Sequence, residues 1–158
     1  MKPYHLSVLV NNHAGLLAKV AGLFSRRHFN IDSLAVGVAE TPGQSRMTIV
    51  VNGDEQMVEQ VVRQLDKLID VLEIEVLPDQ QSVQRELLLI KMSASPETRS
   101  EILQVAEIFR AHIVDVSHDS LTLEVTGQAD KIAAFLNLLQ PLGIRQVIRT
   151  GTVAIRRS

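Results

Sequence analysis

Apolar positions along the chain follow two rhythms, alternation and helical spacing, and the switches between them come in the same order twice. Leu6 to Val10 is a strand-length apolar run, broken by Asn11-Asn12-His13-Ala14-Gly15. From Leu16 apolar residues return at Leu17, Val20, Ala21, Leu23 and Phe24, one face of a helix. Ile31 to Val38 alternates, with Leu34, Val36 and Val38 on one side. Ser33, Ala35 and Gly37 on the other are small enough for something to pack closely. Pro42-Gly43 suits the centre of a tight turn, and Met47, Ile49 and Val51 alternate after it. Asp54 to Leu68 is helical again through Met57, Val58, Val61, Val62, Leu65 and Leu68. Leu72, Ile74 and Val76 then alternate, with Glu73 and Glu75 facing the other way.

Pro78-Asp79-Gln80-Gln81-Ser82 is polar and unpatterned, a linker by composition, and after it the order begins again. Leu87 to Met92 is strand-like, and Ser95-Pro96 reads as an N-cap followed by proline in the first helical position. Ile102, Val105, Ala106 and Phe109 mark a buried stripe. Ile113 to Val116 and Leu121 to Val125 form a strand pair around His118-Asp119-Ser120. Ile132, Phe135, Leu136 and Leu139 give a second helix, and Ile144 to Ile148 with Val153 to Ile155 supply the closing strands. A βαββαβ unit repeated in tandem predicts an α+β protein of two ferredoxin-like domains, 1–77 and 84–158, joined by a linker at 78–83. Each half is small enough for a lone core to be marginal, so the open sheet faces and edges are expected to find cover within the chain and in a homodimer.

Composition narrows the function classes. Hydrophobic residues are 46% and aromatics 3% of the 158 residues, so the cores are aliphatic. No apolar stretch is long enough to span a bilayer or to serve as a signal-peptide core behind Lys2, and a soluble cytoplasmic protein is expected. The absence of cysteine excludes disulfides, a thiolate nucleophile and thiolate metal ligands. A net charge of -2 disfavours a purely electrostatic nucleic-acid binder. The pairs Arg26-Arg27 and Arg156-Arg157 read as solvated surface. RNA-recognition domains share this topology, but they need aromatics on the exposed strands. Leu6 to Val10 and Met47 to Val51 carry none.

Catalytic constellations are thin. His5, His13, His28, His112 and His118 show no metal-ligand spacing, and surface histidines at strand ends account for them. His112 and His118 could approach across a hairpin, near Asp115 or Asp119, yet no metal site is expected. No nucleophile elbow, phosphate loop or dinucleotide fingerprint is present. The informative segment is Asn11 to Leu17, which joins a strand to a helix N-terminus whose first amides lack intrahelical acceptors. Such an end holds a carboxylate. Gly15 permits close approach, and an Asn amide can meet either an ammonium or a carboxylate. These are the parts needed to hold the common end of an α-amino acid, with apolar neighbours for a branched side chain. The same residues also serve as an ordinary cap and turn.

Longer motifs carry a resemblance. Asn12, Gly15-Leu16-Leu17, Val20-Ala21-Gly22-Leu23-Phe24-Ser25-Arg26-Arg27 and Phe29-Asn30-Ile31-Asp32-Ser33-Leu34 resemble the opening of acetolactate synthase small subunits. Ser45-Arg46-Met47-Thr48, Gln84 to Lys91, Ile108 to Ala111, Ile113 to Val116 and Arg149-Thr150-Gly151 continue it over nearly the whole chain. The resemblance implies an N-terminal ACT domain and a C-terminal ACT-like domain, without an active site. It implies a regulatory subunit that activates a catalytic partner and confers feedback inhibition by valine. Thiamine diphosphate, magnesium and FAD then belong to that partner, and none to this chain. It also implies a homodimer through the ACT domains. The valine site would be built from Asn12, His13, Ala14, Gly15 and Leu16 of one protomer with Asn30 and Ile31 of the other. The backbone N–H groups of Ala14 to Leu16 would take the carboxylate and Asn12 and Asn30 the polar ends.

Four positions depart from that family's pattern. Asn11 stands where an acidic residue is usual, and Ala14 where Pro or Ser is common. His28 replaces a glycine just after the first helix, where a left-handed cap costs a side chain about 1 kcal/mol. The chain ends at Arg156-Arg157-Ser158 without the usual glycine after the final strand. Two other readings compete: a stand-alone amino-acid-sensing regulator of another partner, and a ferredoxin-like enzyme of the acylphosphatase sort. The latter needs a phosphate-cradling loop with a fixed Arg, and the first loop has none.

Overall fold

The alternating and helical rhythms become strands and helices in the computed structural model, which describes residues 1–158. The chain divides into two units, Met1–Val83 with Thr152–Ser158, and Gln84–Gly151. In the first, β1 (Lys2–Asn11), α1 (Leu16–Arg26), β2 (Ile31–Val38), β3 (Gln44–Gly53), α2 (Glu55–Asp66) and β4 (Val71–Leu77) form an antiparallel sheet of order β2-β3-β1-β4 with both helices on one face. Leu6 pairs with Ile49 and Val8 with Met47, so these side chains share the face that meets Val20, Phe24, Val61 and Leu65, all essentially inaccessible. Asp54 starts α2 by accepting a hydrogen bond from the Met57 N–H at 2.8 Å.

The second unit repeats the plan with β5 (Ser82–Ser93), α3 (Pro96–Ile108), β6 (His112–Val116), β7 (Ser120–Gly127), α4 (Ala129–Leu139) and β8 (Ile144–Arg149). The order β6-β7-β5-β8 matches the first sheet position for position. Its core gathers Leu88, Ile90, Met92, Ile102, Leu123, Ile132 and Phe135. Both units are ferredoxin-like, as the doubled rhythm predicts.

Five details differ from the sequence pattern. The pattern assigns Val153 to Ile155, and with them residues 152–158, to the second domain. In the structure β9 (Val153–Arg156) pairs with β5, and Thr152–Ser158 pack as part of the first unit. There the Thr152 N–H donates to Ser33 Oγ at 2.9 Å, and the Arg156 guanidinium pairs with Glu75 and reaches Gln81. Of the small residues on that side of β2, Ser33 makes the contact, while Gly37 has open space around it. Residues 79–81, inside the polar stretch read as a linker, form a short 3-10 turn, and strand β5 begins directly after it at Ser82. Leu72 is 46% exposed because a bulge where β1 meets β4 aligns Val71 with Val10 and skips Leu72. Val36 and Val38 lie on the edge strand β2 and are exposed, whereas Leu34 packs on the core. Among the histidines, His5 is buried, not a surface residue.

Both first helices close alike. His28 N–H donates to the Ser25 carbonyl and Phe29 N–H to the Phe24 carbonyl, while His28 sits at φ 59°. Arg110 and Ala111 do the same to Glu107 and Ala106, with Arg110 at φ 59°. These are Schellman closures around a left-handed residue. The turn at His28 thus keeps the glycine-type conformation despite its side chain.

Candidate functional site

The loop after β1 is fixed at its entrance by two backbone hydrogen bonds. Asn11 N–H donates to the Asp70 carbonyl at 2.8 Å and Asn12 N–H to the Gly43 carbonyl at 2.9 Å. His13 N–H turns back to Asn11 O and Leu16 N–H to His13 O. Gly15 has φ +84°, a conformation that disfavours any side chain, and a Cβ built there meets nothing within 4 Å. Its carbonyl accepts the first helical hydrogen bond, from Lys19, so Gly15 is the N-cap of α1 and no side chain caps the helix. The N–H groups of Ala14 and Gly15 have no acceptor in the protein. Two bare donors, an open approach and the positive end of α1 converge on one exposed point.

The residues singled out from sequence divide. Asn12, His13, Ala14 and Gly15 are exposed on this loop. Leu16 is buried in the core and its N–H is held by His13, so it supports the loop from behind and donates nothing to a carboxylate. The exposed apolar neighbour is Leu17. Asn30 and Ile31 lie past the far end of α1, whose 11 residues separate them from Gly15 by about 16 Å. One chain therefore does not bring the two groups together. Asn30 is exposed, with its amide Nδ2 donating to Asp32 Oδ1 at 3.2 Å, and Ile31 packs partly on the core.

Asp70 escapes sequence reasoning. Beside its backbone bond to Asn11, its carboxylate stands 3.4 Å from His13 Nε2 and 3.8 Å from Lys19 Nζ. Only the sheet order brings the α2–β4 turn to this loop, and no local pattern around Asp70 announces it.

The same place in the second unit is built shut. Ser93 N–H donates to Gly143 O and Ala94 N–H to Asp119 O, repeating the two entrance bonds. Ser95 then caps α3 in a reciprocal box with Thr98, and Pro96 takes the first helical position. The backbone N–H of Glu97 and the Ser95 hydroxyl hold the Glu97 carboxyl below its ordinary range. Arg145 binds Ser93 Oγ at 2.8 Å and the Asp119 carboxylate at 3.3 Å, which pulls the Asp119 carboxyl down as well. Arg99 donates to the carbonyls of Ser117 and His118. No three His, Asp or Glu side chains gather as a metal site in either unit, and no helix is long and apolar enough to cross a membrane.

Comparison with known proteins agrees over both units. Residues 6–73 match the family described as the AHAS small subunit-like ACT domain, and residues 85–158 the family described as the small subunit of acetolactate synthase. A probable acetolactate synthase small subunit of Archaeoglobus fulgidus is 53% identical, over 96% of this chain and 95% of its own length. The acetolactate synthase small subunit of Bacillus subtilis is 48% identical over 96% of this chain and 89% of its own. The crystal structure of the acetolactate synthase small subunit from Thermotoga maritima superposes with a TM-score of 0.95 at 42% identity, covering 100% of this chain and 99% of that one. With relatives this similar along its whole length and a tandem fold to match, the chain belongs to the acetolactate synthase small-subunit family, a non-catalytic ACT-domain protein.

Proposed function

We propose that the chain binds an acetolactate synthase catalytic subunit, activates it, and makes it inhibitable by valine. The observation that carries the effector half of this reading is the uncapped start of α1. Ala14 and Gly15 hold two N–H donors without acceptors at a helix N-terminus, beside the exposed apolar side chain of Leu17. A valine carboxylate takes those donors, and its branched side chain lies against Leu17. The ammonium end meets Asn12 and, from a second copy, Asn30 beside Ile31. A homodimer through the first units supplies that copy, since the two groups lie at opposite ends of α1 within one chain. Thiamine diphosphate, magnesium and FAD are held by the catalytic subunit in this reading, and the holoenzyme is cytoplasmic. The test is to mix the purified chain with the catalytic subunit of its own organism and measure acetolactate formation with and without valine. Activation together with valine inhibition is expected. Absence of both association and activation would discard the partner, and activation insensitive to valine would discard the sensor.

A further inference from the structure

An asparagine serves an incoming ammonium only if its amide is turned the right way, because one end donates and the other accepts. Asn30 Nδ2 donates to Asp32 Oδ1 at 3.2 Å. An ionised carboxylate only accepts, so this bond holds the amide nitrogen towards Asp32 and leaves the Asn30 carbonyl oxygen facing away. Asp32 is also the extra residue of a β-bulge. Ile31 pairs with Val51 and Ser33 with the adjacent Val50, so Asp32 has no partner across the ladder and is exposed. Bulges of this kind re-aim a side chain.

The second unit has the device without the chemistry. Counted from the left-handed residues His28 and Arg110, His112 and Val114 take the places of Asn30 and Asp32. Strand β6 bulges at Val114, between Ile113 and Asp115. The bulge belongs to the repeated scaffold, whereas the amide–carboxylate pair occurs only in the unit whose loop is open.

We propose that Asp32 is a positioning and selectivity residue of the effector site, which turns the Asn30 oxygen outward so that the site takes an α-amino acid and refuses the 2-oxo acid of the same skeleton. The inference rests on the reading that Asn30 meets the effector. The two ligands share a carboxylate and an alkyl chain and differ only at the α-carbon. There one carries an ammonium with three donors and the other a carbonyl oxygen, which only accepts. Facing Asn30 Oδ1, with the Asp32 charge behind the amide polarising it, the ammonium gains a charge-assisted hydrogen bond. The oxo group meets an acceptor and gains none.

Calorimetric titration of the full chain with L-valine and with 3-methyl-2-oxobutanoate tests this in the wild type, Asp32→Asn and Asp32→Glu. The wild type is expected to prefer valine. Asp32→Asn should weaken valine by about tenfold or more, the scale of a hydrogen bond to a charged group, and leave the oxo acid unchanged. Asp32→Glu should restore most of the preference. An Asp32→Asn chain that keeps the wild-type preference, or loses both ligands equally, would overturn the inference, as would Asp32→Glu no better than Asp32→Asn. A wild-type chain that binds no valine removes the effector reading itself, a result visible without any variant.

Discussion

From Asn11 to His28 and from Ser93 to Arg110 the chain makes the same excursion, with the same entrance bonds and the same left-handed closure. Between these fixed ends the helices begin differently. In the second unit Ser95 caps, Pro96 and Glu97 are already helical, and the donors of the first turn are answered from within. In the first unit the helix begins two residues later in the count, at Leu16. Ala14 and Gly15 stand where Pro96 and Glu97 stand in the copy, still outside the helix. The second loop gains a cap worth about 1 kcal/mol. The first does without it and carries a glycine, which loses more freedom on folding than any other residue. One scaffold thus yields a self-satisfied end and an unanswered one, and only the second kind can respond to a ligand.

The sharpest way to break the comparison is to make the first loop resemble the second. Gly15→Asp supplies an acidic residue where Glu97 stands in the copy. Nothing within 4 Å opposes its Cβ, but φ +84° costs a side chain about 1 kcal/mol. Thermal melting should therefore show a folded chain with a midpoint lower by about 4–8 °C for the affected unit. Against a ligand carboxylate the new charge costs several kcal/mol. The valine concentration for half-inhibition of the holoenzyme should rise more than about a hundredfold while activation persists. Unchanged inhibition would mean that the carboxylate is bound elsewhere.

The converse change comes next in size. Ser95→Ala removes the second unit's cap and should lower stability in urea by about 1 kcal/mol. Valine inhibition should stay where it was, because that helix end offers nothing to the effector. A shift in valine response as large as the shift in stability would show that the two helix ends are not independent.

The doubled fold was legible because each unit buries one face of its sheet, and burial imposes the alternation and helical spacing on the sequence. Ser95-Pro96 announced its cap, since capping is local. The open loop was legible as Asn12 to Gly15, but the role of Leu16 was not, because burial of its side chain and capture of its N–H depend on where α1 packs. Asp70 was invisible for a related reason: it reaches the loop through sheet order. The C-terminal strand was legible as a strand, though not by its surroundings. Val153 to Ile155 alternates as a closing strand should, and alternation cannot say which sheet face receives it. Ser33 did signal a close approach without naming the visitor, whereas nothing packs on Gly37.

The two left-handed closures offer a smaller test, in which the units should agree. His28→Gly and Arg110→Gly each relieve strain of about 1 kcal/mol, offset by about 0.5 kcal/mol for the looser unfolded glycine. Denaturant midpoints should rise by similar small amounts, because both residues sit at φ 59°. The following residues differ, Phe29 standing edge-on to Phe24 at 6.2 Å between ring centroids, where the second unit has Ala111. A gain confined to Arg110→Gly would trace to that aromatic contact holding the first turn in place.

The smallest expected effect is a histidine pH response in the first unit. His5 is buried, its Nδ1 lacks a hydrogen-bond partner, and Leu87 holds its place in the copy. Burial lowers the His5 pKa from its ordinary value near 6.5, and Asp79, 3.6 Å from Nδ1, opposes the shift without cancelling it. Between the lowered value and 6.5 the unfolded chain binds more protons than the folded one, so stability is full above 6.5 and falls as the pH drops through that window. The slope stays below about 1.4 kcal/mol per pH unit, the limit for one proton. Urea unfolding followed from pH 7.5 to 5 should show this loss in the wild type and less of it in His5→Leu, which copies the second unit. Equal slopes in the two proteins would mean that Asp79 closes on the protonated ring and compensates its burial.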